Sequence, residues 1–354
     1  MRGGERLLEA LCERFPDAEI FTLVHVRRSV SPTIERHRIH TSMLQYAPGI
    51  RRYYRECLPL FPMLVEDFDL DGFDLVISSS HCVAKSALSR PSAPHICYCH
   101  TPMRYAWDQF DAYFGPDRLG FMGSALMRRV MRRMARWDRD TSGRPSRYVT
   151  NSQHVAGRIR RYYNRDATVV YPPVDTSFFT PATAPDGDRR YALMVSALVP
   201  YKRVDIAIEA CQLAGMPLTI AGAGPELARL ERVAARVPGS VTFLGRPSDE
   251  AIRELYRHAT VALLPGEEDF GIVPVEAQAC GTPVVALGRG GALETVAPGT
   301  TGILVEEPSA PAFADAIARA AQTRFDRTAI RRHAEQFGRD RFMREISALI
   351  EDSA

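Results

Sequence analysis

Short apolar runs alternate with amphipathic stretches along most of the chain, the pattern of parallel strands joined by crossover helices. In the first half, residues 18–24 (AEIFTLV), 75–78 (LVIS), 95–99 (HICYC) and 147–151 (RYVTN) predict strands. In the second half the pattern recurs at 191–196, 217–221, 241–244, 261–264, 283–286 and 302–305. Helical periodicity fills the spaces, for example at 204–214 and 225–235, and residues 334–354 read as one last helix. Six strands with intervening helices make the second half a doubly wound α/β domain.

Punctuation separates the halves. Tyr171-Pro172-Pro173-Val174-Asp175 and the Pro/Ala/Gly/Asp-rich stretch 180–188 forbid continuation of strand or helix. The predicted domains are 1–172 and 173–334, with the helix 335–354 expected to pack back on the first. The chain opens Met1-Arg2-Gly3-Gly4 and enters a helical pattern at Leu7, Leu8 and Leu11 with no strand before it. A Gly-Gly loop entering a helix normally follows a buried strand. The expectation is therefore that the first strand of the N-terminal domain is missing from this sequence.

Composition narrows the class. A chain of 354 residues with 45% hydrophobic and 25% charged residues is globular and long enough for two domains. No run of about 18 apolar residues and no signal-peptide stretch occurs, which predicts a cytoplasmic protein. Seven cysteines, odd in number and without a C-x-x-C pair, argue for reduced thiols and against a disulfide framework or zinc site. The net charge of +3 conceals an asymmetry: residues 1–175 hold 26 Lys+Arg against 19 Asp+Glu. The basic half should face an anionic partner, which composition leaves open among lipid, nucleic acid and a phosphorylated acceptor. Only Lys85 and Lys202 are lysines. Lys offers a compact point charge where Arg offers a planar fork, so each is a candidate for a specific role.

The chemistry concentrates in 265–286, PGEEDFGIVPVEAQACGTPVVA. A strand ends in a loop and a helix begins near Ile272. Backbone N–H groups around Gly271, Ile272 and Val273 would point out of the helix N-terminus, which binds phosphate through unpaired donors and the macrodipole. Glu268 in the loop can accept hydrogen bonds from sugar hydroxyls, and Glu276 from a ribose diol.

These residues resemble retaining glycosyltransferase family 4, of the two-domain GT-B fold, whose donor motif is Glu-x7-Glu; here it reads Glu268-Asp-Phe-Gly-Ile-Val-Pro-Val-Glu276. The resemblance implies two facing Rossmann-like domains with an interdomain cleft. It assigns Glu268 to the donor sugar and Glu276 to the nucleotide ribose. In the family, a loop after the second domain's first strand reads Gly-Arg-Leu-x-x-x-Lys-Gly, and its Arg and Lys neutralise the donor diphosphate. Here it reads Ser196-Ala-Leu-Val-Pro-Tyr-Lys-Arg. The match gives Lys202 that role, while Ala197 replaces the family Arg; Arg203 or a basic residue of the first domain is expected to supply the second charge. Gly222 and Gly224 fall where the family places a loop beside the nucleotide, and Gly290-Gly291 forms a similar one. Phe243 ends a strand where a base or ribose can sit. In the first domain, His100 matches a family histidine that contacts the donor sugar, and Gly3-Gly4 matches the N-terminal glycine loop. His81 also ends a strand but carries a weaker expectation. No cofactor and no metal are implied.

Runs such as SALVPYKRVD, HCVAK and CYCHTPMRYAWD resemble bacterial mannosyltransferases. The expected reaction moves mannose from GDP-mannose to a saccharide or polyprenyl-linked acceptor in cell-surface glycan synthesis, with a UDP-sugar or an inactive donor-binding scaffold as alternatives. Segment 121–137 is two-faced: Leu126, Met127, Val130, Met131 and Met134 recur at helical spacing, with Arg128, Arg129, Arg132, Arg133 and Arg136 opposite. It reads either as a helix lying on an anionic membrane surface at the inner face of the cell membrane, or as a core-packed helix with a solvated basic face. A nicotinamide oxidoreductase is disfavoured, because no strand–GxGxxG–helix with a following acidic residue occurs. A nucleic-acid binder would use the Arg-rich helix and bind in a salt-sensitive way; the resemblance implies no nucleic acid.

Overall fold

A computed structural model describes residues 3–182, 191–236 and 239–352, so the part of the expected linker from 183 to 188 lies outside the described residues. The chain divides into two compact units, Met1–Pro173 with Phe342–Ala354, and Val174–Arg341.

In the first unit, β1 (Ile20–Thr22) pairs in parallel with β2 (Ile39–Thr41). A second parallel sheet runs β3 (Val76–Ser80), β4 (His95–Cys99), β5 (Arg147–Thr150) and β6 (Thr168–Val169) in that order. Gly3 and Gly4 do not form the expected loop. They open the helix Gly3–Arg14, whose first turn carries Glu5 where the macrodipole favours an acid. Leu7 and Leu11 of that helix pack with Ile96, Tyr98 and Val149 and with Phe342, Ile346 and Leu349 of the helix Arg339–Glu351. The expected single helix 334–354 is broken. The helix Arg327–Glu335 stops, Gly338 forms a parallel bridge with Val174, and the Phe337 carbonyl accepts from the Val174 N–H. Backbone groups recruited into that bridge cannot continue a helical ladder.

The second unit holds one parallel sheet: β7 (Ala192–Val195), β8 (Leu218–Ala221), β9 (Val241–Phe243), β10 (Val261–Leu264), β11 (Val284–Leu287) and β12 (Gly302–Val305). Their order is β12-β11-β10-β7-β8-β9, a doubly wound order that reverses direction between β7 and β10. The central β10 and β11 are buried along their whole length, which is why they read as unbroken apolar runs. All ten expected strands occur, with ends shifted by up to two residues. The two unexpected ones, β2 and β6, are three and two residues long, too short to show a period of two.

The two-faced segment lies in the helix Pro116–Asp140, broken at Gly120 by φ 68° and ψ 169°. Met131 and Met134 are buried, and Met127, Val130 and Trp137 pack beside them against Leu58, Val65 and Met103. The face read as a lipid-binding surface is therefore core, apart from Leu126. Burying each such side chain stabilises by about 1.5–3 kcal/mol, which an interfacial position would forgo.

Beneath this helix lies a buried polar hub. Lys85 Nζ lies 3.2 Å from Asp138 Oδ1 and donates to the Asp138 carbonyl (2.7 Å), Thr141 Oγ1 (3.0 Å) and Ser86 Oγ (3.1 Å). Asp138 Oδ2 accepts from Trp107 Nε1 (2.7 Å) and the Tyr163 hydroxyl (2.9 Å). One of the two lysines is thus structural. His95, buried in β4 with Nε2 2.8 Å from Ser78 Oγ, has its pKa lowered to about 4 by burial and then by the Lys85 charge.

Removing one partner of a buried pair strands the other charge. Asp138→Ala is expected to lower the unfolding free energy by about 3–5 kcal/mol in urea titrations, whereas Lys85→Met combined with Asp138→Leu recovers much of it. His95 binds its proton more weakly folded than unfolded, so its contribution is whole above pH 6.5 and lost as pH falls towards 4. Plotted against pH, the stability difference between wild type and His95→Gln should slope by up to about 1.4 kcal/mol per unit across that window and be flat above it.

Candidate functional site

Ligands of open α/β sheets collect at the carboxyl ends of the strands where the order reverses. In the second unit that point is the β7–β10 neighbour pair. The loops leaving β8, β7, β10 and β11, adjacent strands in the sheet, pack backbone against backbone there. A Cβ on Gly222 would lie 1.7 Å from the Ser196 carbonyl oxygen, and one on Gly224 2.2 Å from that of Leu198. A Cβ on Gly266 would lie 2.4 Å from the Tyr201 oxygen and 2.8 Å from Lys202 Cα. On Gly290 it would meet the Glu268 oxygen at 2.3 Å, and on Gly291 Phe270 Cα at 2.3 Å. Each loop is fixed against the next by these close backbone approaches. Gly222 and Gly224 were expected to approach a ligand; what they demonstrably approach is the β7 loop. Gly266 was not singled out from the sequence, although its place just after a strand was a legible signal.

This packing delivers Lys202 and Glu268 to each other. Lys202 ends the turn Pro200–Lys202 after β7, Glu268 lies in the loop after β10, and Lys202 Nζ bonds Glu268 Oε1. Both side chains are largely buried, with 17% and 14% of their surface exposed. Glu268 also forms a backbone bridge with Gly290. The next residue after Lys202, Arg203, adopts the left-handed conformation (φ 51°) and turns its guanidinium to Asp205 at 3.3 and 3.4 Å. Ala197, where the family Arg was expected, is exposed.

Gly271, with φ 87°, caps the helix Ile272–Ala279. That conformation favours glycine, which has no side chain of its own to cap the first turn. The N–H groups of Ile272 and Val273 belong to the first turn and have no intrahelical acceptor; Pro274 has no N–H. One turn in, Glu276 is buried and accepts from the Tyr256 hydroxyl at 3.4 Å. Tyr256 sits twenty residues away on another helix, and no spacing in the sequence pointed to it. Phe243 ends the outer strand β9 and packs against the sheet's core cluster.

In the first unit, His100 follows β4. Its N–H donates to the Ser80 carbonyl (2.7 Å), its carbonyl accepts from Asn151 Nδ2 (3.0 Å), and Nε2 lies 2.8 Å from Ser79 Oγ. Tyr98 packs against the ring at 5.2 Å. A Cβ on Gly4 would sit 3.5 Å from Nε2, so the first turn of the opening helix borders the imidazole. Burial, then the neighbouring His81, lowers the His100 pKa to about 3, leaving the ring neutral. His81 itself is exposed. Ser79 was missed as a partner, though it stood within the Ser78-Ser79-Ser80-His81 run.

The loops after β7 and β10 thus bring an ammonium and a carboxylate beside the helix that begins at Gly271, with the Glu276 carboxylate one turn into it. Among the described residues, no three His, Cys, Asp or Glu side chains are placed to hold a metal, and no helix is long and apolar enough to cross a membrane.

Known proteins share this organisation. Residues 1–178 match the profile of Glycosyltransferase Family 4, and residues 175–337 that of Glycosyl transferases group 1. D-inositol 3-phosphate glycosyltransferase of Mycolicibacterium smegmatis is 37% identical over 191 residues, 48% of this chain and 44% of that protein. The Geodermatophilus obscurus protein of the same name is 34% identical over 234 residues, 57% and 51% of the two chains. The matched part of the chain thus spans about half the length of these relatives. Among solved structures, sucrose-phosphate synthase from Thermosynechococcus elongatus superposes with a TM-score of 0.71 at 20% identity, covering 98% of this chain and 91% of that one. Anabaena HepE in complex with UDP and glucose gives 0.68 at 18%, covering 99% and 96%. These likenesses show the fold, GT-B with two parallel-sheet Rossmann-like domains.

The loop packing predicts a sharp position dependence. Gly290→Ala adds a methyl against the Glu268 carbonyl at positive φ and is expected to lower stability by about 1–3 kcal/mol in urea melts. Gly72→Ala, where nothing lies within 4 Å of the new Cβ, should change it by less than about 0.5 kcal/mol.

Proposed function

The chain belongs to glycosyltransferase family 4, and from that premise we propose that it transfers a hexose from a nucleotide sugar with retention of anomeric configuration. The observation that carries this reading is the meeting of Lys202, Glu268 and the Gly271 helix terminus where the β7 and β10 loops pack together. A diphosphate would sit on the Ile272 and Val273 N–H groups and the Lys202 ammonium, with Glu276 accepting from the ribose diol and Glu268 from the sugar. Because Lys202 and Glu268 are bonded to each other, the donor must exchange their partners: phosphate takes the ammonium while sugar hydroxyls take the carboxylate.

Negative charge grows on the diphosphate as the glycosidic bond breaks, and donors already aimed at it lower the barrier, each by about 3 kcal/mol. Both carboxylates are occupied in binding, so the reading uses no protein nucleophile: the acceptor attacks from the leaving-group face and gives its proton to the departing phosphate. His100, neutral at working pH, would hydrogen-bond the sugar rather than shuttle a proton. The donor proposed first is GDP-mannose, supported by the runs SALVPYKRVD and CYCHTPMRYAWD. A UDP-sugar is the second reading, favoured by HepE, captured with UDP and with UDP-glucose. The acceptor class is a saccharide or polyprenyl-linked glycan, and the relatives' name adds a phosphorylated polyol.

Calorimetric titration of GDP, UDP and NAD separates the readings. GDP is expected to bind, and Glu276→Ala to weaken it at least about tenfold, about 1.4 kcal/mol. A preference for UDP would move the assignment to the second donor, and equally feeble responses to all three would overturn the enzyme reading. Glu268→Gln releases Lys202, so GDP affinity should hold or rise while sugar transfer falls at least about tenfold; a parallel loss of both would sink the exchange of partners.

A further inference from the structure

The helix Pro116–Asp140 has a solvent face that its sequence periodicity did not show. Apart from Leu126, the apolar stripe read from the sequence is spent on the core. Phe121 and Met122 join Leu126 outside, where Gly120 leaves helical geometry (φ 68°, ψ 169°) and the helix restarts. Just past that break, Phe121 is 82% exposed, Met122 85% and Leu126 67%. Further along lie the exposed Arg129, Arg132, Arg133 and Arg136. Residues 121–137 contain no Asp or Glu. The outer surface is therefore amphipathic from end to end rather than around its circumference: an apolar tip, then a basic shaft.

Large side chains this exposed are unusual on a soluble surface and mark a contact site when grouped. The charge says what covers them. A second copy would bring the same arginines against these, and a basic shaft repels its own kind. A hydrophobic tip followed by cations is the chemistry of an anionic bilayer, where apolar groups enter the acyl boundary and guanidinium groups meet lipid phosphates.

We propose that the first unit docks on an anionic lipid surface through Phe121, Met122 and Leu126, with Arg129, Arg132, Arg133 and Arg136 against the headgroups. The inference stands apart from the donor assignment, since it involves none of the donor residues. It gives a membrane-bound acceptor a place to be met.

The test is co-sedimentation of the full chain, without nucleotide, with phosphatidylcholine vesicles and with vesicles of equal parts phosphatidylcholine and phosphatidylglycerol. Binding is expected to the anionic vesicles only, and to fall at least tenfold when salt rises to about 1 M, where the screening length shrinks to about 3 Å. Phe121→Ser with Met122→Ser should cut it at least about tenfold, because the apolar insertion is lost while the charges remain. Arg129→Gln with Arg132→Gln and Arg133→Gln should abolish the preference for the anionic lipid. All these positions are exposed, so unchanged thermal melting checks that each variant folds. Wild type that ignores both vesicles, or a Phe121/Met122 variant that binds like wild type, overturns the proposal. So does concentration-dependent self-association that the same variant removes, since the tip would then join two copies. GDP titration of the same samples reads the donor site separately, so either idea can fail alone.

Discussion

Everything at the sheet edge of the second unit rests on backbone touching backbone. Five glycines let the loops after β8, β7, β10 and β11 close to distances that a single methyl would forbid. Side chains between those loops would add rotamers, volume and several ångströms of separation. At the glycines, each loop's position is set by its neighbour's backbone, and the four strands beneath set all of them together. Lys202 and Glu268, sixty-six residues apart, meet because Gly266 lies against Lys202 Cα and Gly290 against the Glu268 carbonyl.

That rigidity decides how charge is handled. A largely buried ammonium and carboxylate are costly to desolvate singly and tolerable as a pair. Pairing stabilises the edge, and under the proposed function the pair's exchange with an incoming anion and hydroxyl is what binding must drive. The helix terminus at Gly271 needs no such partner, because its donors are backbone groups that solvent can satisfy until a ligand arrives. Glu276 differs again. It is buried and accepts from Tyr256, a bond that orients the carboxylate for the diol proposed to meet it.

What the sequence made legible follows the same physics. Central strands such as β10 and β11 are apolar on both faces, and that leaves a run no other element imitates at that length. The Glu268–Glu276 spacing was readable because strand end, loop and helix start are local. The break at Gly338 was not, since its cause is Val174, far away in the chain. Nor was the fate of the 121–137 stripe: periodicity reports that a face is apolar, never whether protein or lipid covers it. The strand β2 and the partners Ser79 and Tyr256 were hidden for a related reason, each owing its position to long-range packing rather than to its neighbours in sequence.

The two lysines sharpen the point about what composition can reveal. In a chain with 43 arginines, Lys85 and Lys202 were equally conspicuous, and only their surroundings separate them. Lys85 points its ammonium at oxygens of Asp138, Thr141 and Ser86, a closed set that a planar guanidinium could not enter without displacing one of them. Lys202 bonds one carboxylate at the edge of a sheet, and 17% of its side chain stays exposed. A compact cation suits both places, for closure in the first and for the proposed exchange in the second. Rarity of a residue type therefore draws attention to both positions, and the number of acceptors already around the charge separates the closed hub at Lys85 from the proposed donor contact at Lys202.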